Sequence, residues 1–204
     1  MTPVIRPSKI IGVGRNYRAH AEELGNPMPA QPIIFFKPPS ALLAHEAAII
    51  LPPASQRVEQ EAEIGVVALE RMRNLSRAEA ERARIGFTCV NDVTARDLQK
   101  VDGQWGRAKG FDTFCPAGPA VVEGLDWRSL EVIGRVNGRE VQRAPAADMA
   151  FDIPTILVFI TSAMTLEPGD LIATGTPAGT TVLKPGDVVE VEIPGVGVLR
   201  NPVR

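Results

Sequence analysis

Apolar and polar positions alternate along this chain in short runs that Pro and Gly cut apart, the pattern of a strand-rich protein with long loops. Lys9 to Val13 reads as a short buried strand, and Ile33 to Phe36 as a second that stops at Lys37-Pro38-Pro39. Glu61 to Leu69 and Ile85 to Val90 have the β-branched content of further strands. Asn16 is placed to cap a short helix running through Leu24 and halted by Gly25. Ser76, with Glu79 three residues on, predicts a capped helix to Arg84, and another helix is expected from about Thr94 to Val101. Asn137-Gly138, between Glu131–Val136 and Glu140–Gln142, is a hairpin signal. Ile153 to Leu166 is nearly uncharged and reads as a buried helix, with Asp152 as N-cap and Pro154 in its first turn. Strands are expected at 171–174, 188–193 and 196–199, the first two preceded by Pro-Gly-Asp turns at 168–170 and 185–187. The expected fold class is α+β: a single strand-rich domain over residues 1–204.

Composition narrows the functions open to such a fold. At 204 residues, 45% of them hydrophobic, the chain can bury a sizeable core. The formal net charge is −2 and no strongly basic stretch occurs, which excludes a nucleic-acid binder. The apolar run Ile153 to Leu166 is too short to span a bilayer, so no membrane partner is expected. The first residues lack the apolar segment and small-residue cleavage site of a secretory signal. The two cysteines, Cys89 and Cys115, form no C-x-x-C pair and read as small core residues, and His20 and His45 lie far from both, so no zinc cluster can be assembled. A cytoplasmic location is the expectation.

The chemistry begins with charge. Glu59, Glu61 and Glu63 alternate, and on a strand all three would project from one face. The run Ile64 to Leu69 that follows wants burial, and carboxylates at the mouth of a buried strand cost several kcal/mol each (order of magnitude) unless compensated. A divalent cation with oxygen ligands would compensate them, whereas a solvated acidic edge that discourages strand pairing would carry the same residues. Asp92 tips the balance toward a ligand site. It stands just past the Ile85–Val90 strand, where it could also serve in part as N-cap of the next helix, and Arg96 and Gln99 share a face of that helix.

Six motifs in order give these residues a family. Gly14-Arg15-Asn16-Tyr17-x-x-His20-x-x-Glu23, Phe36-Lys37-Pro38-Pro39-Ser40, Glu61-Ala62-Glu63, Asn91 to Gln99, Lys109 to Pro119, and Thr174-Gly175-Thr176-Pro177-Ala178-Gly179 together resemble the fumarylacetoacetate hydrolase family, from about Lys9 to the C-terminus. The resemblance is to the short, acylpyruvate-hydrolase-like or 2-hydroxyhepta-2,4-diene-1,7-dioate isomerase-like branch. It implies a mixed, rolled β-sheet cupping the site, a homodimer, and Mg2+ or Mn2+ held by Glu61, Glu63 and Asp92. Glu59 falls outside the motif and is expected to back the site or face solvent.

The same resemblance implies roles for other residues. His20 and Glu23, spaced i, i+3, resemble a water-activating dyad in which the carboxylate orients the imidazole. Lys109 would contact substrate oxygens. Gln99 and Thr176 would grip the carboxylate of a small 2-oxo acid, and Arg96 would face the substrate or brace the metal-ligand loop. Arg15, Asn16 and Lys37 are weaker candidates for the pocket wall, and Gly25-Asn26-Pro27 suggests that the His20 helix can move as a lid. The implied reaction is hydrolysis of the C–C bond of an acylpyruvate, or decarboxylation of oxaloacetate, through a metal-held pyruvate enolate; isomerisation of a 2-hydroxy-dienoate is the alternative. A non-catalytic oxo-acid-binding protein is the reading from another class. Thr174 to Gly179 is not a phosphate loop, because no Gly-Lys-Ser/Thr follows it.

Overall fold

The apolar runs form a curled, mixed β-sheet with few helices, as a strand-rich α+β protein requires. The structure is a computed structural model and describes residues 6–204. In chain order its strands and α-helices are β1 (Ile10–Gly14), α1 (Arg18–Glu23), β2 (Ile33–Lys37), β3 (Leu42–Leu43), β4 (Val58–Gln60), β5 (Ala62–Ala68), α2 (Arg77–Ala80), β6 (Ile85–Asn91), β7 (Thr94–Ala95), α3 (Arg96–Asp102), α4 (Gly106–Gly110), β8 (Cys115–Glu123), β9 (Glu131–Val136), β10 (Arg139–Pro145), α5 (Ile153–Ala163), β11 (Leu171–Ala173), β12 (Thr181–Val182), β13 (Val188–Ile193) and β14 (Gly197–Pro202). The main sheet has the order β2-β1-β11-β5-β6-β8-β3, a second β10-β9-β13-β14 and a small third β12-β4-β7. Only β1/β11 and β3/β8 run parallel among these pairs.

The second sheet packs across β5, β6 and β8, and the core lies between them. Ile64, Val66 and Phe87 of the main sheet meet Val132, Val191 and Leu199 of the second, and α5 adds Ile153, Ile156, Leu157 and Ile160. Each such side chain contributes about 1.5–3 kcal/mol on burial. α5 forms where the sequence places it, with the Asp152 carboxylate accepting the Thr155 N–H at 2.9 Å. No helix among the described residues is long and apolar enough to cross a membrane.

Four local expectations are corrected. Asn16 caps nothing: α1 starts after Tyr17 without a side-chain cap, and the buried Asn16 amide instead donates to Phe151 O (3.0 Å) and Thr174 O (2.8 Å). Asp92 does not cap α3 either, whose N-cap is Ala95. The Ser76–Glu79 capping box is present, yet α2 stops at Ala80, its only buried residue, because one turn without an apolar stripe has nothing to propagate it. The strand expected from Glu61 is preceded by a separate strand, and the chain changes sheets at Glu61 itself. There the Asn91 side chain accepts the Glu61 N–H at 3.0 Å, and Glu61 O accepts the Asp92 N–H at 2.9 Å.

Candidate active site

That change of sheets builds the site. β5 carries Glu63 into the main sheet, Glu61 sits at the break, and its backbone bond to Asp92 holds the end of neighbouring β6 beside it. One carboxylate oxygen from each of Glu61, Glu63 and Asp92 lies within 4.8 Å of the others, and all three residues are buried. Around them, His20, Glu23, Arg96, Gln99, Lys109 and Thr176 line the same cavity of about 480 Å³, as does the weaker candidate Arg15, whereas Asn16 and Lys37 do not line it.

Buried cations answer most of this charge. Lys109 donates to Glu61 Oε2 at 2.7 Å and to Asp92 Oδ2 at 2.5 Å, and Lys37 donates to Asp92 Oδ1 at 2.5 Å. Arg96 bonds Glu59 Oε2 (2.8 Å), Gln99 Oε1 (2.7 Å) and Glu61, so its three guanidinium nitrogens are all committed to protein groups. This geometry favours bracing for Arg96. Glu59 neither faces solvent nor joins the cluster: it is 1% exposed and shares Arg96 with Glu61. Burial opposes ionisation of Glu61, but Lys109, Arg96 and His20 hold its carboxyl well below the usual range. Lys109 is likewise kept charged against burial by Asp92 and Glu61.

Glu63 is different. Burial, then the charges of Asp92 and Glu61, push its pKa well above the ordinary carboxylate value. Among the described residues it has no ion-pair partner; the Gly175 N–H donates to Oε2 at 2.7 Å. An all-oxygen donor set with one unanswered carboxylate suits a hard divalent cation such as Mg2+ or Mn2+, and Glu61, Glu63 and Asp92 would hold it.

The histidine stands across the cavity. α1 buries His20 (5% exposed), and its Nδ1 lies 3.2 Å from Glu23 Oε2. Glu23 also accepts the Gly179 N–H at 3.1 Å, which joins α1 to the 174–179 loop. With Nδ1–H turned to the carboxylate, Nε2 is left as the basic nitrogen. On α3, Arg96 fixes the oxygen of Gln99, leaving its NH2 to donate elsewhere. The Thr176 hydroxyl is engaged in both directions, donating to Ala62 O at 2.9 Å and accepting from Gln142 Nε2 at 2.8 Å, so Thr176 has its backbone N–H to offer a ligand.

Gln142 is the residue that sequence reasoning passed over. From β10 it accepts the Ala62 N–H at 2.9 Å and donates to Thr176 and to Pro177 O (2.6 Å), clamping the start of β5 to the Thr176 loop. A glutamine within a strand carries no signal of that. Lys109, expected in a Gly-rich loop, rides on α4, with its ammonium 5.0 Å from the Phe35 ring centre. Both cysteines are buried, and burial pushes their thiols up to about 12, so neither serves as a nucleophile. His45 lies apart, its Nδ1 accepting the Arg200 N–H at 3.0 Å.

Known proteins resemble this chain in sequence and fold. Residues 9–204 match the profile of the Fumarylacetoacetate (FAA) hydrolase C-terminal family. An uncharacterised protein of Archaeoglobus fulgidus is 53% identical over 199 residues, 98% of this chain and 80% of that protein. The mitochondrial oxaloacetate tautomerase FAHD2A of Bos taurus is 41% identical over 215 residues, covering 100% of this chain and 68% of the relative. Among solved structures, 5-carboxymethyl-2-hydroxymuconate delta-isomerase from Mycobacterium smegmatis superposes with a TM-score of 0.91 at 43% identity, over 100% of this chain and 81% of its own.

Proposed function

The chain belongs to the fumarylacetoacetate hydrolase family and is an enzyme of that family, and from that premise we propose that it works on a small 2-oxo acid through its enolate. The leading reaction is cleavage of the C–C bond of an acylpyruvate or decarboxylation of oxaloacetate, carried out by residues 1–204 as one catalytic unit. One observation carries the reading: the His20–Glu23 pair and the buried Glu61, Glu63 and Asp92 line a single cavity.

When bound by those three carboxylates, Mg2+ or Mn2+ would polarise the 2-oxo group and orient the carboxylate beside it. The protein's own groups do the rest. Gln99 Nε2 and the third N–H of Lys109 donate to substrate oxygens, and the Lys109 charge stabilises negative charge as it develops there. For an acylpyruvate, His20 Nε2 takes a proton from a water that attacks the distal carbonyl, while Glu23 steadies the imidazolium. The C–C bond then breaks, its electron pair passes into the pyruvate enolate, and a proton returned to carbon gives pyruvate. In oxaloacetate the bond to the departing CO2 breaks instead, and no water attacks.

A second reading, proton shuttling between enol and keto forms, is favoured by the 41% identity to an oxaloacetate tautomerase and the 43% identity to a delta-isomerase. It uses His20 to carry the proton and omits C–C cleavage. Assays with an acylpyruvate, oxaloacetate and 2-hydroxyhepta-2,4-diene-1,7-dioate, each with and without chelator, separate the two. We expect cleavage that requires metal, with acylpyruvate cleavage falling about 10²–10⁴-fold in His20→Ala. Turnover undiminished after complete removal of metal, or wild-type acylpyruvate cleavage in His20→Ala, overturns the scheme. Tautomerisation without any cleavage moves the enzyme to the second reading.

A further inference from the structure

Five lysine and arginine side chains line the cavity. Lys109, Arg96 and Arg57 are paired with Glu61 and Asp92, with Glu59 and Glu61, and with Glu59 respectively. Lys100 stands on the exposed side of α3 and is an ordinary solvated lysine. Arg15 is the remaining one. It is half-buried, and among the described residues its guanidinium has neither a hydrogen bond nor an ion pair. Its backbone is also unusual, with φ at +55° in the left-handed region that favours glycine. The flanking residues impose that conformation. Gly14 ends β1 with the Trp105 ring close against it, and Asn16 is tied to Phe151 and Thr174. An arginine is therefore kept, against backbone preference, in the link between β1 and the helix that carries His20.

We propose that Arg15 binds a second carboxylate at the end of the substrate remote from the metal site, making the enzyme selective for 2-oxo dicarboxylic acids. The inference rests on the function proposed above and deepens it. At the other end of the substrate, the 2-oxo group and its carboxylate are answered by the acidic triad's cation, Gln99 and Lys109. Of the other basic groups, Arg57 and Arg96 are already paired and Lys100 is held in solvent, which leaves Arg15 as the half-buried cation free to answer a second charge. A guanidinium offers a planar fork that meets a carboxylate through two parallel hydrogen bonds. The chain's tautomerase relative is named for oxaloacetate, itself a dicarboxylic 2-oxo acid.

The test is calorimetric titration of Mg2+-loaded protein with two unreactive probes. Oxalate mimics the metal-binding end alone, and malate adds a second carboxylate remote from it. In Arg15→Gln we expect malate affinity to fall roughly 10- to 100-fold while oxalate affinity stays within about twofold. Arg15→Lys retains part of the malate affinity. Arg15→Gly binds malate as weakly as Arg15→Gln but melts at a higher temperature than the wild type, since glycine is at ease at this φ. A merely structural arginine would lower affinity for both probes together and lower the melting temperature. That pattern, or unchanged malate affinity in both Arg15→Gln and Arg15→Gly, overturns the proposal. If the wild type itself binds no oxalate, the reading of the whole site falls, and this inference with it.

Discussion

Glu63 is the carboxylate whose charge the protein alone leaves unanswered, and it sets the pH behaviour of the site. Its folded-state pKa is raised, so the stability it contributes without metal is fully present below the ordinary glutamate value and is lost as pH rises through the folded value. Glu61 behaves oppositely: its contribution is present above the ordinary value and lost as pH falls. Cation binding requires Glu63 ionised, so Mn2+ affinity should rise with pH and uptake should release a proton. Glu63→Gln should stabilise the metal-free protein by about 1 kcal/mol, about 2–4 °C, while weakening Mn2+ binding roughly tenfold or more. Calorimetry in chelator and Mn2+ titration followed by electron paramagnetic resonance check the two halves. A metal-free Glu63→Gln protein that melts below the wild type contradicts this account. The membership of this site was legible in sequence because its acids, base and lysine fall in short ordered motifs. Gln142 was not, since it acts through a partner 80 residues away, Ala62; for Glu59 the sequence left backing the site and facing solvent both open, and its pairing with Arg96, 37 residues on, decides for the first.

Elements that carry their own signals form as read. The Asn137-Gly138 hairpin turns with both residues at positive φ (53° and 75°), and α5 has cap, proline and apolar face together. β8 was hidden because Pro116, Gly118 and Pro119 look like loop, although their strand pairs with β6 on one side and short β3 on the other. α4 has no cap and a glycine at each end, so its helix rests on packing rather than propensity. The paired Pro-Gly-Asp turns show how context separates like motifs. Asp170 is fully buried and receives the Ser8, Lys9 and Glu167 N–H groups along with the Lys9 ammonium, whereas half-buried Asp187 receives the Lys184 N–H and the Asn137 amide. Burial opposes the Asp170 charge, but Lys9, the Glu167 N–H and Ser8 hold its pKa below the ordinary aspartate value. Its contribution is therefore present above that value and lost as pH falls through the folded one. Asp170→Asn should cost about 3 kcal/mol in urea unfolding at pH 7, and Asp187→Asn about 0.5 kcal/mol. Equal losses would remove the distinction.

Across the whole molecule, the site gathers α1, the β4–β5 break, the end of β6, α3, α4 and the loop after β11. A cation held there binds the folded chain and has no comparable site in the unfolded one. At a hundred times its dissociation constant it should add about 2.7 kcal/mol, a rise of roughly 5–10 °C in melting temperature. Differential scanning fluorimetry across a Mg2+ series checks this, with Glu61→Gln expected to flatten the response; an equal shift in that variant would place the cation elsewhere. The Gln142 clamp has a further consequence in time. The β9–β10 hairpin touches no substrate, yet its Gln142 fastens both the start of β5 and the Thr176 loop. Opening of that hairpin would release both halves of the reaction chamber together, so the assembled site should last no longer than a hairpin outside it stays closed.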